Sequence, residues 1–309
     1  MLIAALVGWS LAPGTYADDS APVSQEGGRY ALVVGISDYP GTLLDLPLVT
    51  QDVLAISTML IDHFDFAPED ILVLESEQAT RQAILDGITG FLGQAGASDL
   101  AVFYYSGHGT RTEGNVAIGA PLDPEADGQD EALVTYDELL VDDEMAYALQ
   151  SVAAGRLLVL FDSCHSGDAT RADLSVGQPK SADIALVSKF IELPEHFRVP
   201  TLESAGAADL AGGMLDISAD GRLFLAASDE SELSWVAPNL GQSLFTYFLT
   251  ERMATASDKT FEELMSEVSP RVNQYAQQYF QVPQSTHLEG SSLTARTRIG
   301  EFFRVDASP

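Results

Sequence analysis

The only cysteine of the chain, Cys164, follows an apolar run in the stretch LLVLFDSCHSG. A second apolar run, DLAVFYYSGHG, ends in a similar turn and carries His108. A cysteine thiol becomes a nucleophile when a nearby histidine lowers its pKa or takes its proton during attack. The two stretches therefore predict thiol catalysis, with Cys164 as the nucleophile and His108 as its base.

Alternatives exist for both residues. His165 is a rival base, although neighbouring residues of an extended segment point to opposite sides. Cys164 alone would suit a small apolar core position.

The backbone amides of Gly109 and Cys164 lie where they could form an oxyanion hole, because the glycine leaves the backbone uncovered.

These side chains require a scaffold that brings two strand ends together. Continuous apolar runs alternate with segments of helical period, which is typical of a largely parallel α/β sheet covered on both faces. Ligands of such sheets bind beyond the carboxyl ends of the strands, where both motifs stand. The predicted strands lie in residues 30–39, 70–76, 99–109, 156–161 and 221–228, and the predicted helices in 47–64, 79–95, 242–253 and 260–279.

The excess of acidic residues limits the kinds of molecule that the protein can bind. The 309 residues hold 46 acids against 15 Lys and Arg, a formal net charge of −31. Binding to nucleic acid needs clustered bases, so we expect no nucleic-acid partner. Basic substrates, cations or solubility in high salt remain open explanations. A single cysteine excludes an internal disulfide.

The first residues indicate a targeting segment. Residues 1–17 form an apolar run followed by small residues, which predicts a signal peptide cleaved after Ala17, although no base precedes the run. Export to the periplasm or outside the cell is therefore favoured over a cytoplasmic location. The run is too short for a stable membrane span. Residues 18–28 are interpreted as a linker, and we expect a monomer.

The paired motifs YYSGHG and DSCHSG resemble the two catalytic signatures of metacaspases and bacterial caspase-like cysteine peptidases. The resemblance implies a three-layer α/β caspase–hemoglobinase-like fold, in which a six-stranded, mostly parallel sheet has helices on both faces. By the family pattern His108 is the general base or acid. The implied units are a single catalytic domain at 29–290, divided into a large-subunit-like part at 29–168, an irregular insert at 169–220 and a small-subunit-like part at 221–290, then a C-terminal tail at 291–309.

Three residues bear on specificity within this resemblance. Caspases that cut after aspartate carry Gln two positions before the nucleophile, where this chain has Asp162. A carboxylate at the pocket floor attracts Arg or Lys. Asp52 and Ser106 match the metacaspase positions of a second acid and a serine, with Gln51 in place of the usual asparagine. Plainer roles for the acids are a polar residue near a helix start and a loop-orienting side chain.

The resemblance thus implies a cysteine endopeptidase that cuts peptides or proteins after Arg or Lys and needs no cofactor for its chemistry. Competing hypotheses are a caspase-like peptidase of other primary specificity, a proteolytically quiet signalling or scaffold protein, and a calcium-binding surface protein. An exposed insert with basic residues would also be cut by the enzyme itself. Its candidate sites are Arg171, Lys180, Lys189 and Arg198.

An acidic tract raises the question of calcium. Many metacaspases are activated by calcium, which takes several oxygen ligands. Asp130, Asp142 and Asp143 match the family's ligand positions, whereas Arg171 stands where a further ligand is usual. Calcium is therefore expected as an activator and not as a catalytic cofactor. Alternatively, Asp142 caps a helix and the acids after it interact with the helix dipole.

Overall fold

The structure is a computed structural model that describes residues 27–41, 44–113, 129–164, 187–191, 219–229 and 232–305. Twelve strands occur in this part of the chain. They are β1 (Arg29–Gly35), β2 (Ile71–Glu75), β3 (Leu100–Ser106), β4 (Gly109–Glu113), β5 (Gln129–Val134), β6 (Leu139–Val141), β7 (Arg156–Asp162), β8 (Val187–Ser188), β9 (Arg222–Ala226), β10 (Trp235–Ala237), β11 (Gln242–Ser243) and β12 (His287–Gly290).

The central sheet has six strands in the order β12-β9-β7-β3-β1-β2. Five of them run parallel, and only β12 pairs antiparallel, with β9. This confirms the expected six-stranded, mostly parallel sheet. The register places Gly35 beside Ser106 and Ser106 beside Asp162. The carboxyl ends of the three middle strands are therefore level, and the residues that follow them share one edge.

Helices cover both faces of this sheet. They are α1 (Val49–Phe64), α2 (Arg81–Asp86), α3 (Asp142–Gln150), α4 (Leu244–Met253), α5 (Phe261–Tyr275), α6 (Ser292–Ala295) and α7 (Ile299–Phe302). Side chains alternate between two cores, since Val33 packs with α1, α4 and α5 whereas Leu32 packs with α2 and α3. Burial on both faces explains why the strands are continuous apolar runs.

The helix boundaries follow local sequence signals. Thr80 caps α2, because its hydroxyl accepts a hydrogen bond from the Ala83 amide. Thr260 and Glu263 form a capping box at the start of α5. Pro270 lies inside α5 and does not end it. In the described residues, no helix has the length and apolar character needed to cross a membrane.

Residues after 290 were expected to form a tail, and the structure instead packs those up to 305 against the domain. They contain α6 and α7, and the apolar side chains of α7 are buried. The ring of Phe303 stacks on Phe64 of α1, with centroids 3.9 Å apart. The burial of Ile299, Phe302 and Phe303 thus makes this segment part of the core beneath the sheet.

Two small antiparallel sheets lie beside the central one. Strands β4, β5 and β6 form the first, and β8, β10 and β11 form the second. Most of these strands are too short to leave a period in the sequence, and none was predicted. The first sheet adjoins the carboxyl edge of the central sheet, because β4 starts three residues after β3 ends. The second sheet adjoins the same edge, because Lys189, directly after β8, contacts Asp162 at the end of β7.

Candidate active site

Two buried carboxylates meet at the carboxyl edge of the sheet. Asp162 ends β7, Ser106 ends the neighbouring β3, and Asp52 comes from the first turn of α1. All three side chains are buried. The Ser106 hydroxyl donates a hydrogen bond of 2.8 Å to Asp52 Oδ2. The three residues expected to bind a basic side chain are therefore brought together.

The start of α4 holds both carboxylates. The amide and hydroxyl of Ser243 donate to the two oxygens of Asp52, at 2.8 and 2.5 Å. The amide and hydroxyl of Thr246 both donate to Asp162 Oδ2, at 3.1 and 2.6 Å. Anions are stabilised at a helix N-terminus by such amides and by the helix dipole. These two residues were missed, although hydroxyl residues at the predicted helix start were a usable signal.

Lys189 of the insert occupies the space between the two acids. Its side chain is fully buried, and Nζ lies 2.7 Å from Asp162 Oδ1 and 3.8 Å from Asp52 Oδ2. It also donates to the Asp162 carbonyl at 2.8 Å and to Ser106 Oγ at 2.9 Å. An ammonium has three protons, and here each has an acceptor within hydrogen-bonding distance. The pocket is therefore complementary to a basic side chain.

The electrostatics of the pocket depend on this cation. Burial raises the pKa of Asp52, the charge of Lys189 lowers it, and the neighbouring Asp162 raises it again. The net direction of the pKa is upward, because burial outweighs the attraction of the ammonium, which lies 3.8 Å from Asp52 Oδ2. Two buried carboxylates without a cation would be costly, so the pocket requires either a bound cation or a proton.

The main chain around Lys189 lies along the site as an added strand. Val187 and Ser188 pair antiparallel with β10, and the Lys189 amide donates to the Ser234 carbonyl at 3.1 Å. The Gly109 amide donates to the Lys189 carbonyl at 2.9 Å. The Gly109 amide, one of the two amides expected to form the oxyanion hole, therefore already binds the carbonyl of a basic residue.

Cys164 lies two residues after the end of β7 and is fully buried. Its Sγ accepts a hydrogen bond of 2.8 Å from the Ser234 amide and donates to the Ser234 carbonyl at 3.3 Å. Burial raises the pKa of the thiol to about 12, so the sulfur is neutral in this arrangement. The buried thiol and the segment that contains Lys189 therefore both bind the backbone of Ser234.

His108 follows β3, and its ring is held by a backbone carbonyl. Nε2 lies 2.8 Å from the carbonyl oxygen of Leu44, and the His108 amide donates to the hydroxyl of Tyr39. A carbonyl only accepts, so Nε2 carries the proton and Nδ1 keeps the lone pair that a base needs. Burial lowers the pKa of His108 to about 4, and the ring is neutral. Leu44 had no signal in the sequence, because it acts through its backbone.

The two motifs touch through their backbones. A Cβ atom placed on Gly109 would lie 1.7 Å from the carbonyl oxygen of Cys164, so only glycine fits at this position. The side chain would force apart the strand end that carries His108 and the turn that carries Cys164. The glycine after the histidine is thus a requirement of packing as well as of the expected oxyanion hole.

The structure tests one part of the calcium question, the alternative role of Asp142 as a helix cap. Asp142 is the first residue of α3, and Val141 precedes it as the cap, so Asp142 is not the helix cap proposed as an alternative. The side chains of Asp130 and Asp143 lie outside the described part. Among the described residues, no group of three or more His, Cys, Asp or Glu could hold a metal ion.

Several predicted features fall outside the described residues. The signal peptide and the linker lie in residues 1–26 almost entirely, and the rival base His165 lies in 165–186. Three of the four basic residues expected as self-cleavage sites also lie there or in 192–218. They are Arg171, Lys180 and Arg198. Their roles stay predictions.

Comparison with known proteins identifies relatives of the chain. The family model of the caspase domain matches residues 28–293. Metacaspase-1 of Schizosaccharomyces pombe is 35% identical over 157 residues, which cover 47% of this chain and 35% of that protein. Metacaspase-8 of Arabidopsis thaliana is 33% identical over 146 residues, which cover 45% of this chain and 37% of that protein. The matched part thus spans well under half the length of these relatives.

Two solved structures share the fold. Protein GSU0716 from Geobacter sulfurreducens has a TM-score of 0.60 at 20% identity, covering 88% of this chain and 98% of that one. Caspase-1 from Spodoptera frugiperda has a TM-score of 0.52 at 13% identity, covering 89% and 92%. These likenesses concern the fold alone, and they confirm the expected caspase–hemoglobinase-like architecture. Because the family model spans most of the sequence, the chain belongs to the caspase-domain family of cysteine-type peptidases.

Proposed function

We propose that the protein is a metacaspase-type cysteine endopeptidase that cleaves peptide bonds after Lys or Arg, using His108 and Cys164. The observation that carries this proposal is Lys189, whose ammonium is buried against Asp162 while its carbonyl accepts a hydrogen bond from Gly109. This is the arrangement expected of the residue before a scissile bond. A pocket with two carboxylates argues against specificity for aspartate, because like charges repel.

The chemistry follows from the groups at the edge of the sheet. As Sγ of Cys164 attacks the substrate carbonyl, Nδ1 of His108 takes the thiol proton, and the amides of Gly109 and Cys164 stabilise the oxyanion. The C–N bond then breaks, and His108 gives the proton to the leaving amine. Water attacks the resulting thioester with His108 as base, which releases the carboxylate product and restores the thiol. None of these steps needs a cofactor.

The resting state is the second part of the proposal. Lys189 fills the pocket of its own chain, and the segment around it covers a neutral, buried thiol. External substrates are then excluded until this segment leaves. We propose that the enzyme is latent and activates itself by cutting the bond between Lys189 and Phe190.

We expect self-cleavage to depend on a basic side chain at position 189. Mass spectrometry of the incubated full chain should show a cut after Lys189. Lys189→Met should lose this cut, because a neutral side chain leaves two buried carboxylates without a cation. Lys189→Arg should keep the cut and serves as the matched control. A Lys189→Met chain that is cut between 189 and 190 at the parent's rate would contradict the proposed role of the pocket.

We further propose calcium as an activator at Asp130, Asp142 and Asp143. The backbone supports this grouping, since β5 pairs with β6 so that Ala132 lies beside Val141, directly before Asp142. Millimolar calcium should raise the rate of self-cleavage, and Asp143→Ala should remove that response. Asp62→Ala, at an exposed acid of α1, is the control and should keep it. Equal rates in calcium and in chelator would remove calcium from the proposal.

A further inference from the structure

The segment that carries Lys189 is also bound beyond the proposed cut. Gly109 of β4 forms a parallel bridge with Phe190. Its amide donates to the Lys189 carbonyl at 2.9 Å, and its carbonyl accepts from the Ile191 amide at 3.3 Å. The amide of Phe190 itself faces away from β4 and donates to Ser188 Oγ at 3.0 Å. The chain after the cut is therefore joined to β4 by one parallel bridge.

Thr110 completes this pairing on the next residue of β4. Its hydroxyl donates to the Ile191 carbonyl at 2.9 Å, and its side chain is 1% exposed. Both backbone groups of Ile191 are thus bound by β4, one through Gly109 and one through Thr110. Because this hydroxyl binds a main-chain carbonyl, it can position the bound residue whatever side chain that residue carries.

The side chains after the cut point to opposite sides, as in an extended strand. Phe190 packs against the core on one face of the central sheet, and Ile191 packs against the core on the other. Both are partly buried. The surfaces that receive the two residues after the cut are therefore apolar, in contrast to the acidic pocket before it.

We propose that β4 binds the leaving side of protein substrates, where the Gly109 carbonyl selects a second residue after the cut with a free backbone N–H and the Thr110 hydroxyl binds the carbonyl of that residue. This inference rests on the proposed function, in which Lys189 marks the residue before the cut. The substrate class becomes extended segments with a basic residue followed by two apolar residues. Proline as the second residue after the cut is excluded, because it lacks the backbone N–H that donates to the Gly109 carbonyl.

The full chain provides one test through its own cleavage. Ile191→Pro removes the N–H, and cleavage after Lys189 should slow roughly three- to tenfold or more, since one hydrogen bond is lost and the ring disturbs the strand. Ile191→Val keeps the N–H and a branched side chain, so it is the matched control. The rate is followed by mass spectrometry. Equal rates for Ile191→Pro and Ile191→Val would overturn the inference.

Peptides provide a second test that avoids a change in the protein. A quenched fluorescent peptide containing Ser-Lys-Phe-Ile is compared with one in which the N–H of Ile is replaced by an ester oxygen, and with one that ends after Phe. The ester should lower kcat/KM roughly three- to tenfold, and the truncated peptide should lose at least as much. Equal kcat/KM for all three peptides would contradict binding by β4.

Thr110 is tested through the gain that the second residue provides. In the parent, adding Ile after Phe should raise kcat/KM, and this gain should shrink roughly three- to tenfold in Thr110→Val. Thr110→Ser restores the hydroxyl and should restore the gain. An undiminished gain in Thr110→Val would remove Thr110 from the site. The proposed function has its own readout, because an Arg-aminomethylcoumarin substrate has no residue after the cut and reports the basic pocket and the thiol alone.

Discussion

Replacing Cys164 by alanine is expected to abolish both self-cleavage and the hydrolysis of basic peptides. The loss should be at least about a thousandfold in kcat/KM, because no other group in the proposed mechanism can form the covalent intermediate. The fold should persist, since alanine fits this buried position beside the apolar core and the sulfur's hydrogen bonds go to the Ser234 backbone. Thermal unfolding measured by circular dichroism checks this point beside the kinetics.

His108→Ala is expected to cause a comparable loss, because Nδ1 of His108 is the base and later the acid of the proposed mechanism. His165→Ala is the matched control, as it removes the rival imidazole next to the nucleophile. If His108→Ala retains near-parental turnover while His165→Ala does not, the base is His165, and the contact of His108 with Leu44 has only a structural role.

The second large effect is expected at Asp52. Asp52→Asn should lower kcat/KM for Arg and Lys peptides on the order of a hundredfold, because a buried cation loses one of its two carboxylates. Asparagine suits this position, since Ser106 and Ser243 place hydroxyls at Oδ2, and hydroxyls can accept as well as donate. Asp162→Asn is a poorer test, because Oδ2 receives the Thr246 amide and Oδ1 receives the Lys189 ammonium, and both of these groups can only donate.

The pH profile gives an independent check on Asp52. Burial raises its pKa, so lowering the pH through that raised pKa protonates the carboxyl and weakens binding of a basic residue. Asp52→Asn is already neutral at this position. The ratio of parental to variant kcat/KM should therefore be largest above the raised pKa of Asp52 and should fall toward acid pH. A ratio that does not change with pH would exclude Asp52 from the pocket, and a parent that prefers aspartate before the cut would refute the acidic pocket altogether.

Much of the architecture was predictable because it is local or repetitive. The strands that carry the site are buried on both faces, so each is an apolar run that is recognisable without its neighbours. Glycine turns after those runs predicted that His108 and Cys164 follow strands ending at one edge of the sheet. The register of β3 and β7 confirms that these two strands end level with each other. The fold class followed from the order of these elements and from the resemblance of the two motifs.

The parts that were missed depend on contacts between distant residues. Lys189 was one of four equivalent basic residues in the sequence, and only the pairing of β8 with β10 carries it to the two acids. Strands of two or three residues such as these have no periodicity of their own. The short helices α6 and α7 were missed for a similar reason, because burial of Ile299 and Phe302 depends on the core that they join.

The buried Lys189 also bears on the kinetics of activation. A ligand attached to its own site has an effective concentration that is commonly on the order of millimolar, so free substrates of similar affinity compete poorly at lower concentrations. Breaking the bond after Lys189 removes its attachment on the Phe190 side, so the cleaved end is held at one end only and its effective concentration falls. In the proposed mechanism, latency is therefore maintained by covalent continuity, and its loss is a first-order, one-way event whose rate does not depend on enzyme concentration.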